Sequence, residues 1–226
     1  MRLGFAAVLL LLVSAAQGAE TDLSVGKPEV KPGDRWTYRR VNYRSNATVE
    51  TYELRVTFAQ GDVIHGVFRR LQGIDTDAAR TGGVPMLAAK KDDEADATWT
   101  SEWNSVSSPD GVVHRTHSGI FRFPLQPGVT YSREYEFRRP REGGRGQQGE
   151  QTVRVSGWEE VEVPAGRFRA LKVQASGRYR RLDTNSTGTE TTTCWYVPQV
   201  KRSVKCTYES WPLHRGEELI KFELRQ

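Results

Sequence analysis

From Val153 to Tyr179 apolar and polar residues alternate with a period of two on both sides of a short turn, Pro164-Ala165-Gly166. Before the turn Val153, Val155, Val161 and Val163 share one parity, with Arg154, Ser156, Glu160 and Glu162 on the other. After it Leu171, Val173, Ala175 and Tyr179 alternate with Lys172, Gln174, Ser176 and Arg178. That period belongs to a strand with one buried and one wet face. Proline presets φ at the second position of a type I turn, and the following glycine accepts a left-handed backbone. The reading is a hairpin with a three-residue loop and a glycine bulge, pairing Val163 with Arg167 and Glu159 with Leu171. In that register both apolar sets fall on one face.

The same period recurs along the chain. Arg35 to Tyr43 is rich in aromatic and β-branched residues. Tyr52, Leu54, Val56 and Phe58 alternate with polar neighbours, and Gln60-Gly61-Asp62 turns the chain into a strand over Val63 to Arg70. Gly111 to His117 and the Tyr131, Tyr135, Phe137 series add two more, and Ile220, Phe222 and Leu224 mark a closing strand. The expected fold is all-β, a single curved antiparallel meander sheet or open barrel. Between Gly73 and Ala97 the period stops at Gly82, Gly83 and Pro85, which reads either as a functional flap or as a disordered excursion, with room for a short helix over Met86 to Asp96. Arg138 to Gln151, rich in Arg, Gly and Gln, reads as a mobile hairpin tip.

Residues 1–18 read as a signal peptide: Arg2, an apolar run from Phe5 to Val13, and the small-residue site Ala16-Gln17-Gly18. The run is too short to span a bilayer, which takes roughly 20 apolar residues. The expectation is therefore a periplasmic or secreted protein that does not span the membrane after cleavage, with residues 19–226 as one β-rich domain. A net charge of +5 on an exported chain fits anionic envelope surfaces and gives no reason to invoke nucleic acid.

The two cysteines sit on the strands of one further hairpin, where a loop centred on Val200 sets Cys194 opposite Cys206, Tyr196 opposite Val204 and Thr192 opposite Tyr208. Directly opposed positions are close enough to bridge, and an oxidising compartment favours the disulfide. Two buried thiols are the alternative.

No residue set points to catalysis. The chain lacks a nucleophile elbow, a zinc-binding His-Glu-x-x-His helix and a phosphate-binding Gly-Lys loop. His114 and His117 stand three apart, on opposite faces of a strand, so they do not chelate together. Glu159, Glu160 and Glu162 read as surface charge beside a turn. Neither a metal nor a cofactor is called for. The candidate ligand-binding residues are the aromatic side chains Trp36, Tyr38, Tyr196 and Tyr208 on the inward parity.

The segment Glu159-Glu160-Val161-Glu162-Val163-Pro164-Ala165-Gly166-Arg167-Phe168-Arg169-Ala170-Leu171-Lys172-Val173 resembles the Val-Pro-Ala-Gly-x-Phe hairpin of a domain of unknown function in bacterial exported proteins and lipoproteins. Pro32-Gly33-Asp34-Arg35-Trp36, Phe123-Pro124-Leu125-Gln126-Pro127-Gly128 and Trp195-Tyr196-Val197-Pro198 are similar too. The resemblance runs from Lys31 to Tyr208 and implies a curved antiparallel sheet or open barrel in the envelope, with no catalytic residues. Members with a lipidated cysteine differ from this chain, which has none near residue 18. The leading reading is a non-catalytic binding module for an apolar or amphipathic ligand, such as an envelope lipid. The alternatives are a structural or interaction protein pairing with an envelope protein through a sheet edge, and a hydrolase with its site on the flap.

Overall fold

The computed structural model describes residues 24–72, 92–140 and 143–226. Residues 1–18, read as a signal peptide, and most of the flap lie outside the described residues. Twelve antiparallel strands are described: β1 Arg35–Asn42, β2 Ala47–Gln60, β3 Val63–Gln72, β4 Glu94–Thr100, β5 Ser105–Ser107 and β6 Val113–His114. The second half holds β7 Thr130–Arg139, β8 Arg145–Val163, β9 Gly166–Arg181, β10 Thr187–Val197, β11 Arg202–Ser210 and β12 Leu213–Glu223. Each pairs with the next, and β1 pairs with β12 from Arg35↔Glu223 to Asn42↔Arg215, so the meander closes into a barrel. The all-β meander is as expected. Of the expected curved sheet or open barrel, the barrel is what forms, and its closure pairs the backbone groups that an open edge leaves exposed.

Period-two burial holds where the ladders are regular. Tyr52, Leu54 and Val56 are buried on β2, as are Val153 and Val155 on β8 and Val173 and Ala175 on β9. It fails at bulges, where an extra residue flips every side chain beyond it. A register shift between Val56 and Phe58 turns Phe58 out to solvent. On β12 a shift opposite Thr37 and Tyr38 buries Leu219 fully and leaves Phe222 exposed, the reverse of the parity read from the sequence.

The β8–β9 hairpin shows the same effect. Val163 pairs with Gly166, so the loop is Pro164 and Ala165 alone, not three residues. The compensating extra residue lies further back, between Val155 and Gly157, and below it Val155 pairs with Val173. The tip then reaches a strand that is not its neighbour in the ring: Ala165 N–H donates to the Leu219 carbonyl at 3.0 Å, and the Phe168 and Phe222 rings stand 6.5 Å apart. Val161 and Val163, just before the tip, are both buried.

Three local expectations change. Glu94, Ala95 and Asp96 belong to β4, so the proposed helix does not extend through them. Residues 145–151 are ordered strand within β8, because Gly146, Gly149 and Gly177 let neighbouring backbone and side chains approach closely; a Cβ on Gly177 would stand 2.1 Å from the Glu150 carbonyl oxygen. The strand expected over 111–117 shrinks to Val113 and His114.

Candidate functional site

The barrel interior changes character along every long strand. On β8 the inward series runs from Val155 and Val153 to Gln151 and Gln147; on β10, from Tyr196 and Cys194 to Thr192 and Glu190; on β12, from Leu219 to Glu217 and Arg215. One end is therefore packed with apolar side chains and the other is polar. At the packed end Trp36, Trp99 and Trp103 meet edge to face at 5.4 and 5.5 Å, a geometry favoured by the ring quadrupole.

A layer of buried charge follows. Glu50 accepts from Arg70 at 3.1 Å and from Arg40 at 3.5 Å, with Glu50 and Arg70 both sealed from solvent. Beyond that layer the interior opens into a cavity of about 880 Å3. Its arginines are Arg133, Arg139, Arg145, Arg181 and Arg215; its acids are Asp110 and Glu190.

Glu190 organises the cavity floor. Its Oε1 accepts from the Tyr135 hydroxyl and from Gln151 Nε2 at 2.7 Å, and its Oε2 accepts from Gln147 Nε2 at 2.9 Å and the Tyr208 hydroxyl at 3.0 Å. Four neutral donors satisfy this buried carboxylate, as burial requires. Burial, and then the Glu190 charge, push the Tyr135 and Tyr208 hydroxyls well above the ordinary range. Both remain protonated donors.

The cationic wall is satisfied only in part. Arg133 Nε donates to Gln151 Oε1 at 2.9 Å, Nη2 reaches the same oxygen, and the guanidinium lies over the Tyr135 ring at 4.8 Å. Its Nη1 is buried without a hydrogen-bond partner, and so is Nδ1 of His114. Burial, with the Arg133 charge next, pushes the His114 pKa down to about 4. Arg215 lies over the Tyr208 ring at 5.1 Å, and burial, with Arg40 second, lowers it to about 10. Arg139 instead pairs with Asp110 at 3.7 Å, and Arg181 with Asp183 at 3.2 Å. Phe137, Ile120 and Leu213 add apolar surface, and Trp211 stands 85% exposed on the rim with Arg44 4.3 Å from its ring. Such a site can hold a molecule with an anionic end and an apolar body.

Of the aromatic residues singled out in the sequence, Tyr208 lines this cavity. Trp36, Tyr38 and Tyr196 lie in the packed core: Trp36 Nε1 donates to the Val200 carbonyl at 2.9 Å, Tyr38 donates to the Ser203 carbonyl at 2.7 Å, and Tyr196 meets Phe123 edge-on at 5.3 Å. Cys194 and Cys206 pair across β10 and β11 with Cα atoms 4.1 Å apart and are joined by a disulfide. Glu159 accepts from Trp195 Nε1 and Lys172 on the outer surface. Among the described residues no three His, Cys, Asp or Glu side chains converge as metal ligands. Sequence reasoning missed Arg133, Gln147, Gln151, Glu190 and Arg215. The available signal was a polar residue on an inward parity, such as Arg133 between Tyr131 and Tyr135.

A second groove, of about 1030 Å3, lies on the outer side of β7 to β10. Its polar side chains, among them Glu134, Gln148, Arg178 and Thr189, come from the outward parity, and it has no buried charge comparable to that of the cavity.

Comparison with family models and with curated protein sequences returns no match. Among solved structures, "a putative lipoprotein" from Parabacteroides distasonis is similar over 88% of this chain and 99% of its own, with a TM-score of 0.58 and 12% identity. "A putative exported protein with YmcC-like fold" from Bacteroides fragilis overlaps 89% of this chain and all of its own, at 13% identity and a TM-score of 0.45. The first likeness establishes a shared fold.

Proposed function

We propose that the protein is an exported, non-catalytic binding module that takes one end of an amphipathic ligand into the open end of its barrel. The observation that carries this reading is the cavity of about 880 Å3, in which Arg133 and Glu190 are buried while Phe137 and Leu213 are partly exposed and Trp211 is open to solvent. The volume falls within the range of small-molecule sites, and barrel mouths are a recurrent place for them. Export is supported by the leader-like residues 1–18 and by the description of the Parabacteroides protein as a lipoprotein. The chemistry of Glu190 favours binding over catalysis: with four hydrogen bonds already made, it holds donors in place and has no spare lone pair aimed at a substrate proton. The sheet-edge reading has little surface to use, since among the described residues every strand has a partner on each side.

Calorimetric titration of the purified protein with dodecyl-chain amphiphiles, kept below their micelle concentrations, tests the proposal. Saturable one-site binding is expected, and Thr192→Trp, which fills the cavity from β10, should abolish it. Failure of every head-group class to bind saturably would overturn the reading.

A further inference from the structure

We propose that the cavity recognises an oxyanion, the carboxylate or phosphate head of its amphipathic ligand, through Arg133, Arg215 and His114. This deepens the binding reading above and rests on it. The comparison that suggests it lies within the barrel itself. In the charged layer, Arg70 and Arg40 are held by the Glu50 carboxylate, which is how a buried guanidinium is ordinarily neutralised. Arg133 is 8% exposed, yet its hydrogen bonds go to the neutral amide oxygen of Gln151. Glu190 is nearby but is turned to Tyr135, Tyr208, Gln147 and the amide nitrogen of Gln151. No carboxylate bonds Arg133 in the described structure, and its Nη1 has no partner.

Arg215 stands in the same condition on another wall. It lies against the Tyr208 ring and makes no salt bridge, whereas its neighbour Arg139 is paired with Asp110. His114, which also lines the cavity, contributes the third group, with a buried Nδ1 that has no partner. Its lowered pKa leaves the ring neutral at pH 7, so it serves as an N–H donor without adding charge. Arg202, whose Nη1 also lacks a partner, differs: it lies at the packed end with the Trp103 ring 4.3 Å away and Trp99 at 5.4 Å. Two guanidiniums and an imidazole around one cavity match an acceptor with several oxygens, since arginine forks bind carboxylate and phosphate in pairs of bonds. The remaining volume and the Phe137, Leu213 and Trp211 surface suit the chain behind that head.

The test uses four probes with one tail: dodecanoate, dodecyl phosphate, dodecyl maltoside and dodecyltrimethylammonium, each titrated below its micelle concentration. Dodecanoate or dodecyl phosphate should bind at least about tenfold more tightly than the neutral and cationic probes, the worth of one charge-assisted hydrogen bond. Whichever anion is preferred identifies the head. Arg133→Gln and Arg215→Gln should each remove about tenfold from the anions and leave dodecyl maltoside unchanged. Arg215→Gln serves as the second variant, since Arg133 is the more deeply packed, and thermal unfolding shows that each still folds. Equal binding of all four probes, or anion binding unmoved by both substitutions, would sink the anion inference while the cavity reading stood. Absence of binding by all four would sink both.

Discussion

Two buried arginines in one barrel, Arg70 and Arg133, show how a side chain's surroundings decide its role. Arg70 meets a carboxylate at 3.1 Å and is structural, whereas Arg133 meets an amide oxygen and an aromatic face and keeps an unused donor. His114 belongs to the second environment, near Arg133, His117 and Asp110, and its titration is measurable. Its pKa falls from 6.5 unfolded to about 4 folded. Between those values the unfolded chain binds the proton and the folded chain does not, so stability rises with pH across this window. The contribution is complete above pH 6.5 and is lost as the pH falls through 4. Urea midpoints at pH 7 and pH 5 should therefore differ more for the native protein than for His114→Asn, and equal differences would count against this account. The sequence displayed Arg133 on an inward parity, but not whether a carboxylate would meet it. That depends on Glu190, 57 positions away, choosing four neutral donors.

At the level of elements, the places of turns were readable, though not the length of the Pro164 loop, and bulges were not. Pro164 and Ala165, Gly61 and Asp62, and Asn46 at φ 52° all stand in turns, because proline, glycine and asparagine have local conformational preferences that any context preserves. The shifts at Val56, at Val155 and on β12 follow from how a curved sheet must bend to close, and neighbouring strands decide them. That is why the parity of Phe58 and Phe222 misled while that of Val153 and Val173 did not. Gly157 carries the bulge behind the hairpin at φ 145°, a backbone that residues with a Cβ avoid, although a Cβ there would touch nothing. Gly157→Ala should cost about 1–3 kcal/mol through backbone strain alone, measurable by chemical denaturation; a change under about 0.5 kcal/mol would show that the bulge relaxes. The disulfide closes a short loop, its cysteines 12 positions apart. Replacing both with serine should lower stability by about 2–3 kcal/mol on the chain-entropy estimate, with unfolding midpoints compared under non-reducing conditions.

The molecule as a whole divides into a packed half and an open half, and this division was only partly legible. Alternation announced an all-β chain, while closure of the ring depends on Arg35 meeting Glu223, a pairing that no local pattern encodes. The cavity arises because the inward series of β8, β10 and β12 turn polar at the same end, a coincidence visible only once the strands are in register. Removing residues 213–226 deletes β12 and leaves β1 and β11 each without a neighbour on one side. The shortened chain is expected to lose cooperative unfolding and to elute as aggregates in size-exclusion chromatography; a monomer with a sharp transition would refute that dependence.

The β1–β12 seam also sets a timetable. A chain threaded across a membrane amino end first delivers β1 early and β12 last, so the seam cannot form until almost the whole length has passed. Until then β1 can zip onto β2 but keeps its other flank unsatisfied, with Trp36 and Tyr38 exposed to whatever surrounds the translocation exit. Loop closure over such a span is slow, and sticky flanks are hazardous while it is pending. A barrel of this design, threaded in that order, therefore has most need of a holding chaperone before its carboxyl-terminal strand arrives.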